Sequence, residues 1–245
     1  MKKLLFILLC FPLLSFTQNK LYPKSNGQFV NHSYFSLSYN ENHEQAEWVY
    51  YFLTSDMING DYKRTEDFRT DNKIRTGSAS KADYYKSGYD RGHLAPAGDM
   101  KISRTSMSES FLLSNISPQN PSFNRGGWKK LESQVRSWIL SEGEMYVVTG
   151  PILSNPIGSI GSNNVTVPSY FYKIIYSKSK DKMIGLVMPN QKTNTDLKHY
   201  VKSVDYIESL TGIDFFHQLE DKNEEELESK INLKSWNFNY KNNQL

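Results

Sequence analysis

Asp90, Arg91, Gly92 and His93 put a carboxylate, a guanidinium and an imidazole side by side, with a glycine inside the cluster. Histidine ionises near neutrality, so His93 is suited to take a proton from water as a general base. Arg91 offers a planar fork of N–H donors that matches a phosphate, and Gly92 admits a backbone approach that a side chain would block. Taken alone, so short a pattern fits an ordinary turn with a structural histidine equally well. A second polar set then follows: Asn115-Ile116-Ser117-Pro118-Gln119, Asn124, Trp128, Glu132 and Arg136. Asn124 is a good helix cap, and Trp128, Leu131, Val135 and Trp138 recur at the spacing of one buried helical stripe. At about 100° per residue, Glu132 and Arg136 lie roughly 80° and 120° round from Asn124 and flank that stripe. Charges at the edge of a buried face are placed to border a cleft. In the plainer reading they form an i,i+4 pair contributing a few tenths of a kcal/mol to the helix.

These groups need a scaffold, and the chain supplies one in short alternating pieces. Residues 34–39 read as a first strand, and residues 46–54, aromatic and β-branched, as a stronger and more buried one. Residues 55–88, rich in Asp, Lys, Ser and Gly, form a long connection with only short elements, which leads into the Asp90–His93 motif. A short helix is expected within 103–113. The helix of 128–140 is followed by a buried strand at 144–149, ended by Gly150-Pro151. Further strands are expected at 165–167, 170–176 and 182–188, with a hairpin turn at 177–181. Leu197, Tyr200, Val201, Val204, Ile207 and Leu210 predict one helix over 196–210, stopped by Gly212. The class is α+β, built on mixed, mainly antiparallel sheet.

Three stretches in order carry a family resemblance: Asp90-Arg91-Gly92-His93, then Ser114-Asn115-Ile116-Ser117-Pro118-Gln119, then Phe123-Asn124-Arg125-Gly126-Gly127-Trp128 with Leu131-Glu132. Together they resemble the DNA/RNA non-specific endonuclease family, which includes the secreted Serratia-type nuclease and mitochondrial endonuclease G. The likeness runs from about Tyr50 to about Phe216, through Thr149-Gly150-Pro151, Val167-Pro168-Ser169-Tyr170-Phe171-Tyr172-Lys173 and Thr211-Gly212-Ile213. It implies a ββα-metal active-site hairpin and helix, and hydrolysis of phosphodiester bonds in DNA and RNA to 5′-phosphate products. His93 matches the general base and Asn124 the one direct protein ligand of Mg2+, with Mn2+ as the alternative ion. Glu132 matches a residue that orients metal-bound water, and Arg136 one that stabilises phosphate charge. Arg91 and Asn115 take supporting positions. An upstream arginine on the phosphate corresponds to Arg64 or Arg69, of which Arg64 is the choice. The family also allows a homodimer.

Composition bounds the rest. Met1-Lys2-Lys3, an apolar run over 4–14 and Ser15-Phe16-Thr17-Gln18 fit a signal peptide over 1–18, too short for a membrane span. The remaining chain, 19–245, is expected to be a single nuclease domain, secreted or periplasmic, with no stable membrane association after cleavage. Cys10, the one cysteine, lies within the leader; a lipid anchor there is disfavoured by the bulky Leu9 before it. Beyond it there is neither a disulfide nor a thiolate zinc site, and one motif histidine cannot fill a tetrahedral zinc shell. The net charge of +3 includes Lys2 and Lys3, so nucleic acid must be met by a local basic surface, to which the arginines between Tyr62 and Ser137 could contribute. An acidic extension begins near residue 220. Its run to Glu228 lacks the spaced oxygen ligands and glycine of a calcium loop and reads as a solvated helix leading to Ile231, Leu233 and Trp236. His32, His43, His199 and His217 have no neighbouring His or Cys at ligand spacing. The competing functional classes are a small-nucleotide phosphodiesterase with a closed pocket and a catalytically silent nucleic-acid binder. The intact His93, Asn124 and Glu132 weigh against the latter.

Overall fold

The computed structural model describes residues 21–194 and 196–239. The signal peptide expected at 1–18, with Cys10, lies outside them. In chain order the elements are β1 (Gln28–Asn31), β2 (Ser36–Asn40), β3 (Gln45–Leu53), α1 (Ser55–Asn59), α2 (Lys81–Tyr84), β4 (Asp90–His93), α3 (Arg104–Glu109) and β5 (Ile116–Gln119). There follow α4 (Lys129–Glu142), β6 (Met145–Ile152), β7 (Gly158–Ile160), β8 (Val165–Val167), β9 (Tyr170–Ser177), β10 (Lys182–Pro189), β11 (Val201–Lys202), α5 (Val204–Thr211) and α6 (Asp221–Ser229).

A seven-stranded sheet in the order β1-β2-β3-β6-β9-β10-β11 carries the molecule, and every neighbouring pair in it is antiparallel. Side chains alternate between the faces of a strand, and here both faces are covered. From β3, Val49, Tyr51 and Leu53 enter the core beneath α4, which adds Leu131, Val135, Trp138 and Ile139. Trp48 and Tyr50 point the other way, into a second core that holds Val204 and Ile207 of α5 and Leu227 of α6. The strands therefore read as near-continuous apolar runs. Fully burying one such large side chain contributes roughly 1.5–3 kcal/mol.

β4 and β5 form a separate two-stranded antiparallel ribbon, with Asp90 opposite Gln119 and His93 opposite Ile116. A third apolar cluster, including Phe68, Phe111 and Ile116, supports it. Two contacts pin the ribbon to the main sheet. Ser117 Oγ donates to Gln45 Oε1 at 2.6 Å, and Asn190 Nδ2 donates to the Pro118 carbonyl at 3.1 Å. The ββα unit is thus β4, β5 and α4, and the fold is α+β with mainly antiparallel sheet.

Several sequence expectations change. The strand predicted to stop before Gly150-Pro151 continues through both residues to Ile152, because β9 pairs with it from Tyr146 to Ile152. The single helix predicted over 196–210 is a 3-10 turn, the short β11 and then α5; its early apolar residues Leu197 and Val201 pack under the sheet's last edge. Gly212 does end α5, at a φ of 69°. The strand β1 was not legible in its polar sequence. Among the described residues no helix is long and apolar enough to cross a membrane.

Candidate active site

The ribbon and the start of α4 meet at a cleft of about 460 Å³ lined by Arg64, Arg91, His93, Asn124, Glu132 and Arg136, with Lys129 and Arg125 at its wall. Six of the seven residues singled out from sequence for chemistry are therefore brought together. The seventh, Asn115, is not. Its buried amide donates to the carbonyls of Ala95 (2.9 Å) and Ser110 (2.8 Å) and accepts from the Ala95 N–H at 2.9 Å. Two of these bonds fix the backbone just after His93 and the third ties it to the end of α3, so the buried Asn115 side chain faces backbone groups rather than the cleft.

His93 ends β4. Its ring lies 5.5 Å from that of Phe68 and 4.8 Å, edge-on, from that of Phe111. The same two rings carry guanidinium groups: Arg91 sits 4.2 Å over Phe68 and Arg64 4.8 Å over Phe111. Cation–π contact thus helps to hold both arginines beside the histidine, and Arg64 Nε also donates to Glu66 Oε1 at 2.9 Å. Burial first, then the positive fields of Arg64 and Arg91, push the His93 imidazole down to about 3, so the ring is neutral at physiological pH. Its Nε2 is buried and has no hydrogen-bond partner among the described residues. The backbone is equally determined: the Trp128 indole N–H donates to the His93 carbonyl at 3.3 Å. Gly92 is required by packing, since a Cβ there would lie 2.2 Å from the Gln119 side chain.

Asn124 does not cap a helix, as its type and position suggested. It lies inside a π-helical turn, Phe123–Trp128, whose Gly126 departs to φ −109° and ψ −105°, and α4 starts only at Lys129. Such π turns interrupt helices at functional sites, and here the interruption turns Asn124 toward β4. Its Nδ2 donates to Asp90 Oδ2 at 2.9 Å, which orients the amide and leaves Oδ1 without a hydrogen bond among the described residues. Arg125 donates to both Asp90 oxygens, at 2.8 and 2.6 Å. Burial pulls the Asp90 carboxyl upward, but these bonds from Arg125 and Asn124 outweigh it and hold it below the usual carboxylate range.

Glu132 and Arg136 project from the first turns of α4 into a buried charge network. Arg136 Nη1 donates to Asp99 Oδ1 at 2.9 Å, and the Tyr51 hydroxyl donates to Asp99 Oδ2 at 3.1 Å. Beneath them is Lys173 of β9, fully buried, with its ammonium 4.9 Å from the Trp128 ring. Burial pushes Glu132 up and Lys173 down, toward their neutral forms, and the charge of each opposes the shift in the other. Asp99 and Lys173 were missed in the sequence. Lys173 did leave a signal: it takes a core-facing place in the alternation of β9, between Phe171 and Ile175.

Of the clustered arginines, Arg64, Arg91, Arg125 and Arg136 converge on the cleft. Arg69, the other candidate for the upstream position, is held outside it by Asp67 (2.9 Å) and the Ser108 carbonyl (2.9 Å). The cleft opens into an adjoining cavity of about 600 Å³ that shares Arg64, Arg91, Asn124 and Arg125 and adds Lys81, Lys86 and Tyr85. The result is a continuous basic groove. Asn124 Oδ1 and the Glu132 carboxylate offer oxygen ligands that suit a hard, largely hydrated ion, which leaves the His93 nitrogen to act as a base.

Comparison with known proteins agrees with this geometry. The sequence model of the DNA/RNA non-specific endonuclease family matches residues 16–222. A nuclease of Nostoc sp. is 33% identical over 229 residues, covering 88% of this chain and 82% of the relative. Mitochondrial endonuclease G of Homo sapiens is 34% identical over 205 residues, 77% of this chain and 69% of its own. Among solved structures, the EndoG/EndoGI complex, described as showing the mechanism of EndoG inhibition, matches with a TM-score of 0.74 at 33% identity, over 80% of this chain and 89% of that one.

Proposed function

The chain belongs to the DNA/RNA non-specific endonuclease family, a family of metal-dependent phosphodiester hydrolases, and from that premise we propose that it cuts DNA and RNA internally with His93 as general base and Mg2+ held by Asn124. The observation that carries the reading is the joint presence, in one basic cleft, of a neutral imidazole and an amide oxygen aimed by Asp90.

In this mechanism Arg64, Arg91 and Arg136 receive the scissile phosphate. Its negative charge offsets the fields of Arg64 and Arg91 that depress His93, so substrate binding itself raises the basicity of the imidazole. His93 then takes a proton from a water molecule aligned opposite the 3′ oxygen. The new P–O bond forms as the P–O3′ bond breaks, and the phosphate stays on the 5′ end. Glu132, in the positive fields of Arg136 and Lys173, is the carboxylate that would orient water beside a metal held at Asn124. When bound at Asn124, magnesium supplies Lewis-acid neutralisation of the charge that builds on the phosphoryl group and the departing oxygen. Contacts confined to phosphate carry no base information, which suits sugar-non-specific cutting. The open groove favours a polymer over the small nucleotide that a closed pocket would hold.

We further read residues 1–18 as an export signal and 19–245 as one nuclease domain acting in the periplasm or outside the cell, with the homodimer as its candidate assembly. The test is magnesium-dependent cleavage of supercoiled plasmid and structured RNA by wild type and His93→Ala, with the new ends analysed. Internal cuts bearing 5′ phosphates, lost in His93→Ala while binding persists, are expected. Well-folded wild type that cuts neither polymer in Mg2+ or Mn2+ would overturn the reading.

A further inference from the structure

On the opposite face of the sheet, α5 and α6 bring three carboxylates together. One oxygen each from Asp205, Glu208 and Glu228 lies within 4.8 Å of the others. The acidic run of α6 is mostly solvated, as its composition suggests, but Glu228 is not. It is 4% exposed, and its Oε1 has no hydrogen-bond partner among the described residues. An unpaired buried carboxylate oxygen is costly, and two further carboxylates beside it compound the cost. Two cations of this region are engaged elsewhere, Lys24 with Asp214 and Lys230 with Glu226. Burial first, and then Glu208, Glu224, Asp205 and Asp214, push the Glu228 carboxyl up, as expected for an anion buried among like charges.

We propose that Asp205, Glu208 and Glu228 form a second metal site, distinct from the catalytic cleft, that binds a calcium ion and clamps α6 to α5. The donor set is all oxygen and rich in negative charge, which selects a hard cation. Calcium accepts irregular carboxylate shells, whereas magnesium demands a near-ideal octahedron and rarely collects three carboxylates. Glu208 is already oriented, because one of its oxygens accepts the Phe215 N–H at 2.8 Å. Asp205 is exposed and leaves the ion an open side for water.

The clamp has a mechanical consequence. The chain leaving α6 carries Trp236 and Phe238 onto Trp138 of α4, with ring centroids 4.7 and 5.3 Å apart. The Asn237 carbonyl accepts hydrogen bonds from Trp138 (2.7 Å) and Gln134 (3.0 Å). Holding α6 therefore holds the segment that braces the helix of Glu132 and Arg136.

The test is calcium titration of chelator-treated full-length protein, followed by calorimetry and by thermal unfolding. Asn124→Ala serves as the background that lacks the proposed cleft ligand. We expect saturable calcium binding and a rise in Tm that persist in Asn124→Ala, that magnesium does not reproduce, and that weaken at least about tenfold in affinity in Asp205→Asn. Glu228→Gln should be more stable than wild type without calcium and indifferent to it, because the amide relieves the repulsion and removes the ligand. No calcium response in wild type would overturn the site, leaving Glu228 to hold a proton instead. A response undiminished in the Asp205→Asn/Glu208→Gln double variant would also overturn it. Loss of the response in Asn124→Ala alone would assign the ion to the cleft and refute the clamp.

Discussion

Replacing Asp90 with alanine is the sharpest probe of how the cleft is aimed. Asp90 touches neither the cleft's imidazole nor its acidic network; its carboxylate receives Asn124 Nδ2 at 2.9 Å and the Arg125 fork at 2.8 and 2.6 Å. The Arg125 side chain is 73% exposed, so its pairing counts for about 0–1 kcal/mol. The bond to Asn124 is different. It is shielded and charge-assisted, and such bonds are worth roughly 1.5–3 kcal/mol. Without it the amide loses its fixed orientation, and Oδ1 no longer points to one place. At a factor of ten per ~1.4 kcal/mol, the loss corresponds to about 10- to 100-fold weaker metal binding. Initial rates on plasmid across a magnesium titration measure this directly. The half-saturating magnesium concentration should rise by that factor in Asp90→Ala, while the rate at saturating metal falls far less. Arg125→Ala, which leaves the Asn124 bond in place, should raise KM for nucleic acid and barely move the metal dependence. An Asp90→Ala enzyme with unchanged metal dependence and a lower plateau would refute the argument.

Other perturbations separate chemistry from support. Because burial, Arg64 and Arg91 depress His93, the acid limb of kcat/KM should lie below the ordinary histidine range, and Arg64→Met or Arg91→Met should move it upward; a limb near 6.5 that neither variant shifts would contradict the stated cause. The same depression makes His93 a source of acid instability. Its contribution is fully present above the unfolded value of 6.5 and is lost as pH falls toward about 3, so the drop in urea midpoint between neutral and acid pH should shrink in His93→Gln. Gly92→Ala drives a Cβ to 2.2 Å from Gln119 and should cost about 1–3 kcal/mol of stability, read as a lower Tm together with reduced activity. Asn115→Ala should lower Tm sharply, since each buried group left unpaired costs roughly 1–3 kcal/mol, and activity should be lost through unfolding rather than through a changed KM.

Much of this molecule is written in short-range pattern. The apolar runs of β3 and β9, the stripe from Trp128 to Trp138 and the stop at Gly212 are local consequences of strand and helix periods, because a buried face must recur every two residues or every three to four. The order of the polar motifs was equally legible, and it brought His93, Asn124, Glu132, Arg136 and Arg91 into view before any packing was known, while the family resemblance added Arg64 or Arg69. What no local pattern contains is partnership. Arg136 meets Asp99 from 37 positions away, and Trp128 reaches the His93 carbonyl across 35, because separate elements happen to pack there. Tertiary packing alone therefore decided that Asn115 faces backbone rather than substrate, that Arg64 and not Arg69 enters the cleft, and that Asn124 sits in a π turn held by Asp90. It also decided that Glu228, in a run of solvated acids, is the one whose carboxylate is buried against Asp205 and Glu208. Periodicity says which way a side chain points from its own element, and only the assembled elements say what it finds there.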